Sequence, residues 1–175
     1  MTLINNHVID KEQVSVMTIK HGMENTEFKN VYANRENKKM FSEMADTVAR
    51  IKKVTPGGML IFHPTYLMLE KTQEYWNIRG KLACDTARNQ FGRKVFIEPK
   101  DKTELEKTTL SFETEICDKP QEGAIYMGVF RGKLSEGVDF KDDTGRVVVI
   151  TGIPFAPFKD PKVTMKKLYV QSMNY

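Results

Sequence analysis

Short, uninterrupted apolar runs alternate along this chain with longer stretches whose apolar residues recur every three or four positions. Runs of the first kind suit strands covered on both faces, and stretches of the second suit helices laid against them, so the pattern predicts a mainly parallel α/β sheet. Residues 14–19 read as a first strand. Phe41, Met44, Ala45, Val48 and Ile51 then mark a helix over about 35–54, which Pro56-Gly57-Gly58 ends. Met59-Leu60-Ile61-Phe62 is the next strand, and Thr65 caps the following helix, which carries Tyr66, Leu69 and Trp76.

Val95-Phe96-Ile97 reads as a third strand stopped by Glu98-Pro99, and Thr103-Glu104-Leu105-Glu106 has the spacing of a capping box opening a helix. Leu105, Thr109, Phe112 and Ile116 form the inward stripe of that helix. Two further strands are expected at 124–130 and 147–150. Asp160 and Pro161 start a last helix as cap and first-turn proline, with Met165, Leu168 and Tyr169 facing the sheet. No internal repeat or low-complexity tract interrupts the series, and 175 residues suffice for one core.

The chemistry concentrates directly after the strand at 124–130, in Arg131-Gly132-Lys133-Leu134-Ser135-Glu136-Gly137-Val138-Asp139-Phe140. An α/β sheet places its ligand site at the carboxyl ends of its strands. Gly132 and Gly137 let the backbone approach a phosphate closely, while Lys133, Ser135, Glu136 and Asp139 supply donors and acceptors. The segment is not a P-loop. Three residues, not four, separate Gly128 from Gly132, and Leu134 follows Lys133 where a magnesium-binding Ser or Thr would be needed.

The decapeptide resembles motif V of the XPD-like superfamily 2 DNA helicases, in the branch of the telomere-elongation regulator and the Fanconi anaemia group J helicase. Gly57-Gly58-Met59-Leu60-Ile61-Phe62-His63-Pro64-Thr65-Tyr66 resembles motif IV of the same family. Gly145-Arg146-Val147-Val148-Val149-Ile150-Thr151-Gly152-Ile153-Pro154-Phe155, with Asp160-Pro161 beyond it, is similar to the segment after motif V. Asn6-His7-Val8-Ile9 and Val14-Ser15-Val16-Met17 look like the entry to the second motor lobe. His63 and Phe130 stand where Phe and Cys are usual in this branch, and Thr65 keeps the hydroxyl of a commoner Ser.

The resemblance implies a RecA-like three-layer sandwich, with residues 1–175 forming a single domain: an incomplete second lobe without motif VI and its arginine finger. Walker A, Walker B and the cluster-binding cysteines of the first lobe are not in the sequence. By the same resemblance, Thr65, Tyr66, Arg131, Gly132, Lys133 and Ser135 line a track for single-stranded DNA, and Glu136, Gly137 and Asp139 face the nucleotide held between lobes. ATP and Mg²⁺ are then the cofactors of the intact enzyme, neither held tightly by these residues alone, and the partners are single-stranded DNA and a first helicase lobe.

Composition bears on this only modestly. The formal net charge is +4, and residues 131–175 hold eight Lys or Arg against five Asp or Glu, a weak preference for a polyanion. Cys84 and Cys117 are unclustered and only three His occur, so no metal site is expected, and each cysteine reads as a small buried apolar residue. The first residues are too short and polar for a secretory signal and no apolar run approaches a membrane span, which suits a soluble intracellular protein, and the resemblance implies the nucleus.

The expected function is therefore part of an ATP-dependent DNA helicase of the DNA-repair and telomere-maintenance type, translocating 5′ to 3′ and inactive as 175 residues alone. Two alternatives stay open: a catalytically dead regulator that binds nucleic acid or a partner helicase, and an unrelated doubly wound domain binding a phosphorylated small molecule at 131–140.

Overall fold

The computed structural model describes residues 11–78, 93–153, 155 and 160–173. Helix α1 (Lys38–Val54) begins where the Asn37 side chain accepts a hydrogen bond from the Met40 N–H at 3.1 Å. Its stripe of Phe41, Ala45 and Val48 is buried. The turn after it is pinned from inside by Lys52, whose Nζ donates to the carbonyls of Gly57 at 2.6 Å and Thr55 at 3.3 Å. Burial, and secondarily the charge of Arg93, pulls that ammonium down to about 7.

Strand β1 (Gly58–His63) follows, buried at every position, and then helix α2 (Tyr66–Ile78), strand β2 (Lys94–Ile97), helix α3 (Lys102–Asp118) and strand β3 (Ala124–Val129). A short helix α4 (Lys133–Gly137), strand β4 (Val147–Ile150) and helix α5 (Pro161–Ser172) complete the described elements. All pairings within this sheet are parallel and the strand order is β2-β3-β1-β4. The expected α/β sheet is thus present, with β3 and β1 at its centre.

Strand alternation divides the core in two. Met59, Ile61, Val95, Ile125 and Met127 point to the face covered by α1 and α2, where Trp76 is fully buried and donates its indole N–H to the Phe41 carbonyl at 2.9 Å. Leu60, Phe62, Phe96 and Tyr126 point to the other face and meet Leu105, Phe112 and Ile116 of α3 and Leu134 of α4. Helices on both faces of a parallel sheet make the three-layer sandwich of a RecA-like lobe.

Four expectations need correction. Residues 14–19 form no strand: Val16 is 90% and Met17 77% exposed, and the alternating pattern finds no partner among the described residues. Helix α3 is capped by Asp101, whose carboxylate accepts from the Thr103 and Glu104 N–H groups at 2.8 and 3.1 Å, two residues before the expected Thr103 cap. Helix α5 starts as expected at Asp160 and Pro161, but Met165, Leu168 and Tyr169 are exposed and no residue of that helix is buried. Cys117 is exposed on α3 rather than buried. Asn6, His7, Val8 and Ile9, Cys84 and Pro154 lie outside the described residues.

Candidate nucleic-acid interface

The polar segment after β3 is held in a tight turn. The Phe130 N–H donates to the His63 carbonyl at 2.9 Å, carrying the β3–β1 pairing one step past the strand. Arg131 then takes a left-handed conformation, φ +58°, and the Gly132 N–H closes back on the Val129 carbonyl at 3.0 Å. A non-glycine residue held there stores roughly 1–3 kcal/mol of local strain, so the surroundings must fix the turn.

Glu98 supplies that fixing. It follows β2 directly, its own N–H bonded to the Met127 carbonyl at 2.8 Å, and it is 4% exposed. One carboxylate oxygen accepts the Val129 N–H at 2.7 Å; the other accepts the Leu134 N–H and the Tyr66 hydroxyl, each at 3.1 Å. A buried carboxylate with three donors is well satisfied, and it ties the first turn of α2, the end of β3 and the start of α4 to a single group. Close approach is possible because two neighbours are glycines. A Cβ on Gly132 would lie 2.7 Å from Glu98 Oε1 and 2.9 Å from the Val129 carbonyl, and one on Gly128 would lie 2.5 Å from a Leu134 methyl.

This changes the reading of the two motif glycines. The Val129 and Leu134 N–H groups, where a phosphate would be cradled, are taken by Glu98, and Gly132 is bare because Glu98 needs the space. Gly137 is the open one: a Cβ there would meet nothing within 4 Å. Two backbone amides of the turn are therefore engaged from inside the protein.

Those side chains sit as follows. Thr65 is exposed, and its Oγ1 accepts the Met68 N–H at 3.2 Å to cap α2. Tyr66 is half-buried with its hydroxyl on Glu98, and burial first, then the Glu98 charge, raises its pKa. Arg131 and Lys133 are exposed; Lys133 Nζ donates to the Lys100 carbonyl at 2.5 Å. Ser135 is half-buried and donates its Oγ to the Gly132 carbonyl at 3.2 Å. Glu136 lies within α4, and Asp139 is exposed with Oδ2 3.5 Å from Lys141 Nζ.

Thr65, Tyr66, Arg131, Gly132, Lys133 and Ser135 thus gather at the carboxyl ends of the adjacent strands β1 and β3, whereas Gly137 ends α4 and Asp139 lies beyond it. The hydrogen bond from Lys133 brings the β2–α3 loop to the same edge and adds Lys100 and Lys102 to the basic groups there. Asp101, between them, is held below the usual carboxylate range by the Glu104 and Thr103 N–H groups first and by the Lys133 charge after them. The sequence reading passed over Glu98, Lys100 and Lys102; the available signal was a lone carboxylate ending an apolar parallel strand, followed closely by two lysines.

His63 closes the same edge from inside. It is fully buried, its Nδ1 lies 3.0 Å from Thr151 Oγ1, and its Nε2 has no partner among the described residues. Burial depresses its pKa to about 3, so the ring is neutral. Its place is structural: it links the ends of β1 and β4 beneath Thr65.

With this geometry in view, the comparisons are specific. The helicase C-terminal domain model matches residues 48–175, which hold all four strands and both motif segments. The chain belongs to the helicase C-terminal domain family. It is 39% identical over 170 residues to a regulator of telomere elongation helicase 1 homologue of Drosophila erecta, covering 97% of this chain and 17% of that protein. The corresponding Aedes aegypti protein is 39% identical over 173 residues, 98% of this chain and 16% of its own length. The Drosophila ananassae protein is 40% identical over 170 residues, with 97% and 16% covered. The chain therefore spans about one sixth of the relatives it matches. Family, relatives and parallel sheet agree on a helicase-derived segment of the XPD-like superfamily 2 type, with a RecA-like lobe architecture.

No helix of the described residues is long and apolar enough to cross a membrane. Among the described residues no three His, Cys, Asp or Glu side chains gather as metal ligands would.

Proposed function

We propose that this helicase C-terminal domain forms part of the single-stranded DNA track in the second motor lobe of an ATP-dependent, 5′-to-3′ DNA helicase serving telomere maintenance and DNA repair in the nucleus. The observation that carries the reading is the meeting of the two motif segments at one sheet edge, through the hydrogen bonds of Glu98 to Tyr66, Val129 and Leu134. Lys133, Arg131 and the neighbouring Lys100 and Lys102 supply positive potential there, and the Thr65 hydroxyl, joined by that of Ser135 once it turns from the Gly132 carbonyl, supplies a neutral donor, as sequence-independent grip on a strand requires.

ATP and Mg²⁺ fit this chain only in part. Gly137 opens on free space and Asp139 is exposed, so both can meet a nucleotide presented by a first lobe, where Asp139 and Glu136 would accept from ribose hydroxyls or order water. Two N–H groups of the turn, those of Val129 and Leu134, are occupied by Glu98. Bound between two lobes, ATP supplies the phosphoryl transfer that drives movement; these 175 residues contribute the strand grip and neither hydrolyse it nor hold it tightly. The cysteines for an iron–sulfur cluster are not in this sequence.

Fluorescence anisotropy of a labelled single-stranded oligonucleotide, competed with unlabelled DNA or with ATP, tests the reading. Displacement by unlabelled DNA at concentrations far below those at which ATP competes supports it. Saturable mononucleotide binding that DNA leaves untouched would favour a small-molecule domain instead. Phosphate release by the isolated chain, lost on Asp139→Ala, would overturn the claim that it is inactive alone.

A further inference from the structure

We propose that the groove between α3 and α4 is a base-binding subsite on this track, in which a phosphate lies at Lys102 and Lys133 while the base of the same nucleotide rests on Leu110 and Val138 and donates an exocyclic amine to Glu106. The proposal rests on the nucleic-acid reading above.

The groove has a volume of about 500 Å³, within the range that holds a small ligand and enough for one nucleotide. Its long wall is one face of α3, where Lys102, Glu106 and Leu110 follow at four-residue steps and so line up along the helix. The opposite wall is Lys133, Gly137 and Val138. Gly137 leaves that wall open where any side chain would narrow it, and Leu110 stands 64% exposed on the other side, an apolar surface with room in front of it.

The order of charges selects the occupant. The two lysines stand at the end nearest the carboxyl edge of the sheet, where the strand would cross, because both residues open helices that follow β2 and β3. The carboxylates of Glu106 and Glu113 lie further along, and neither they nor Lys102 form an ion pair with another described residue. A ligand that is anionic at one end and has beyond it a flat apolar body edged with N–H donors matches this arrangement, since Glu106 stands between the lysines and Leu110 on the same helix face. A nucleotide with an amino-bearing base, cytosine or adenine, has that character. Thymine lacks the amine and leaves Glu106 unanswered.

Binding of the full chain to fluorescein-labelled oligo-dC and oligo-dT over one shared salt series tests this, with Leu110→Ser, Glu106→Gln and Lys133→Ala beside wild type. Both groove substitutions are at exposed positions, so the fold survives them. Wild type is expected to prefer oligo-dC by several-fold. Glu106→Gln should bring the two affinities together, and Leu110→Ser should weaken both about fivefold, the loss of roughly one stacked base, without altering the salt dependence. A 2-aminopurine placed in the oligonucleotide should change its emission with wild type and not with Leu110→Ser. If Lys133→Ala weakens binding while Leu110→Ser and Glu106→Gln change nothing, the groove is not a base site although the DNA track stands. If folded wild type binds no oligonucleotide at low salt, both the track and the subsite fall.

Discussion

Glu98 Oε2 accepts the Val129 N–H at 2.7 Å, placing a buried carboxylate beneath the turn that carries the candidate DNA contacts. The carboxylate fills the cradle that backbone N–H groups would otherwise offer to phosphate, and through Tyr66 it ties the two motif segments together. The loop's shape is therefore set from within, leaving Arg131 and Lys133 exposed and Ser135 half-buried at its surface.

Glu98→Ala leaves three donors without an acceptor in a buried place. Its expected cost is about 3 kcal/mol, read as a lower urea midpoint at unchanged m-value. Glu98→Gln keeps one acceptor and should cost less. A loss below about 0.5 kcal/mol for the alanine variant would show that Glu98 does not fix the turn.

The two motif glycines should respond oppositely. Gly132→Ala forces a methyl against Glu98 and the Val129 carbonyl and is expected to destabilise by about 1–3 kcal/mol. Gly137→Ala meets nothing and ends a helical turn, so it should be neutral or stabilising by up to about 1 kcal/mol. Thermal melts of the two variants side by side decide this; similar losses in both would contradict it.

His63 makes stability sensitive to mild acid. Its folded pKa is depressed to about 3 from 6.5, so the unfolded chain takes the proton first and stability falls as the pH drops from 6.5 towards 3. Between pH 7 and 5, before most carboxylates titrate, the loss should be about 2 kcal/mol. His63→Phe should flatten that window in a series of denaturant titrations. A variant as acid-sensitive as wild type would show that the slope has another source.

Much of this was legible in the sequence for a physical reason. Strands buried on both faces must be apolar throughout, so Met59-Leu60-Ile61-Phe62 and Val95-Phe96-Ile97 stand out, and the α3 stripe of Leu105, Thr109, Phe112 and Ile116 follows helical spacing and is buried. Residues 14–19 carry a similar local signal and form no strand, because a strand needs a partner that the pattern does not specify. The α5 stripe misleads likewise: periodicity names a face but not what covers it. At the site, the motif residues were readable and Glu98 was not, since its role comes from one strand and two helices meeting around its carboxylate.

The central claim is that Lys133 and Ser135 grip a single strand at the turn Glu98 holds. Single-stranded DNA affinity measured across a salt series, for wild type and a Lys133→Ala, Ser135→Ala double variant, tests it most directly. Wild-type affinity should fall with salt at a slope of about −0.7 per phosphate contact, and the double variant should bind more weakly and lose about one contact's worth of slope. Identical slopes and affinities for the two proteins, or no binding at low salt by a folded wild type, would contradict it.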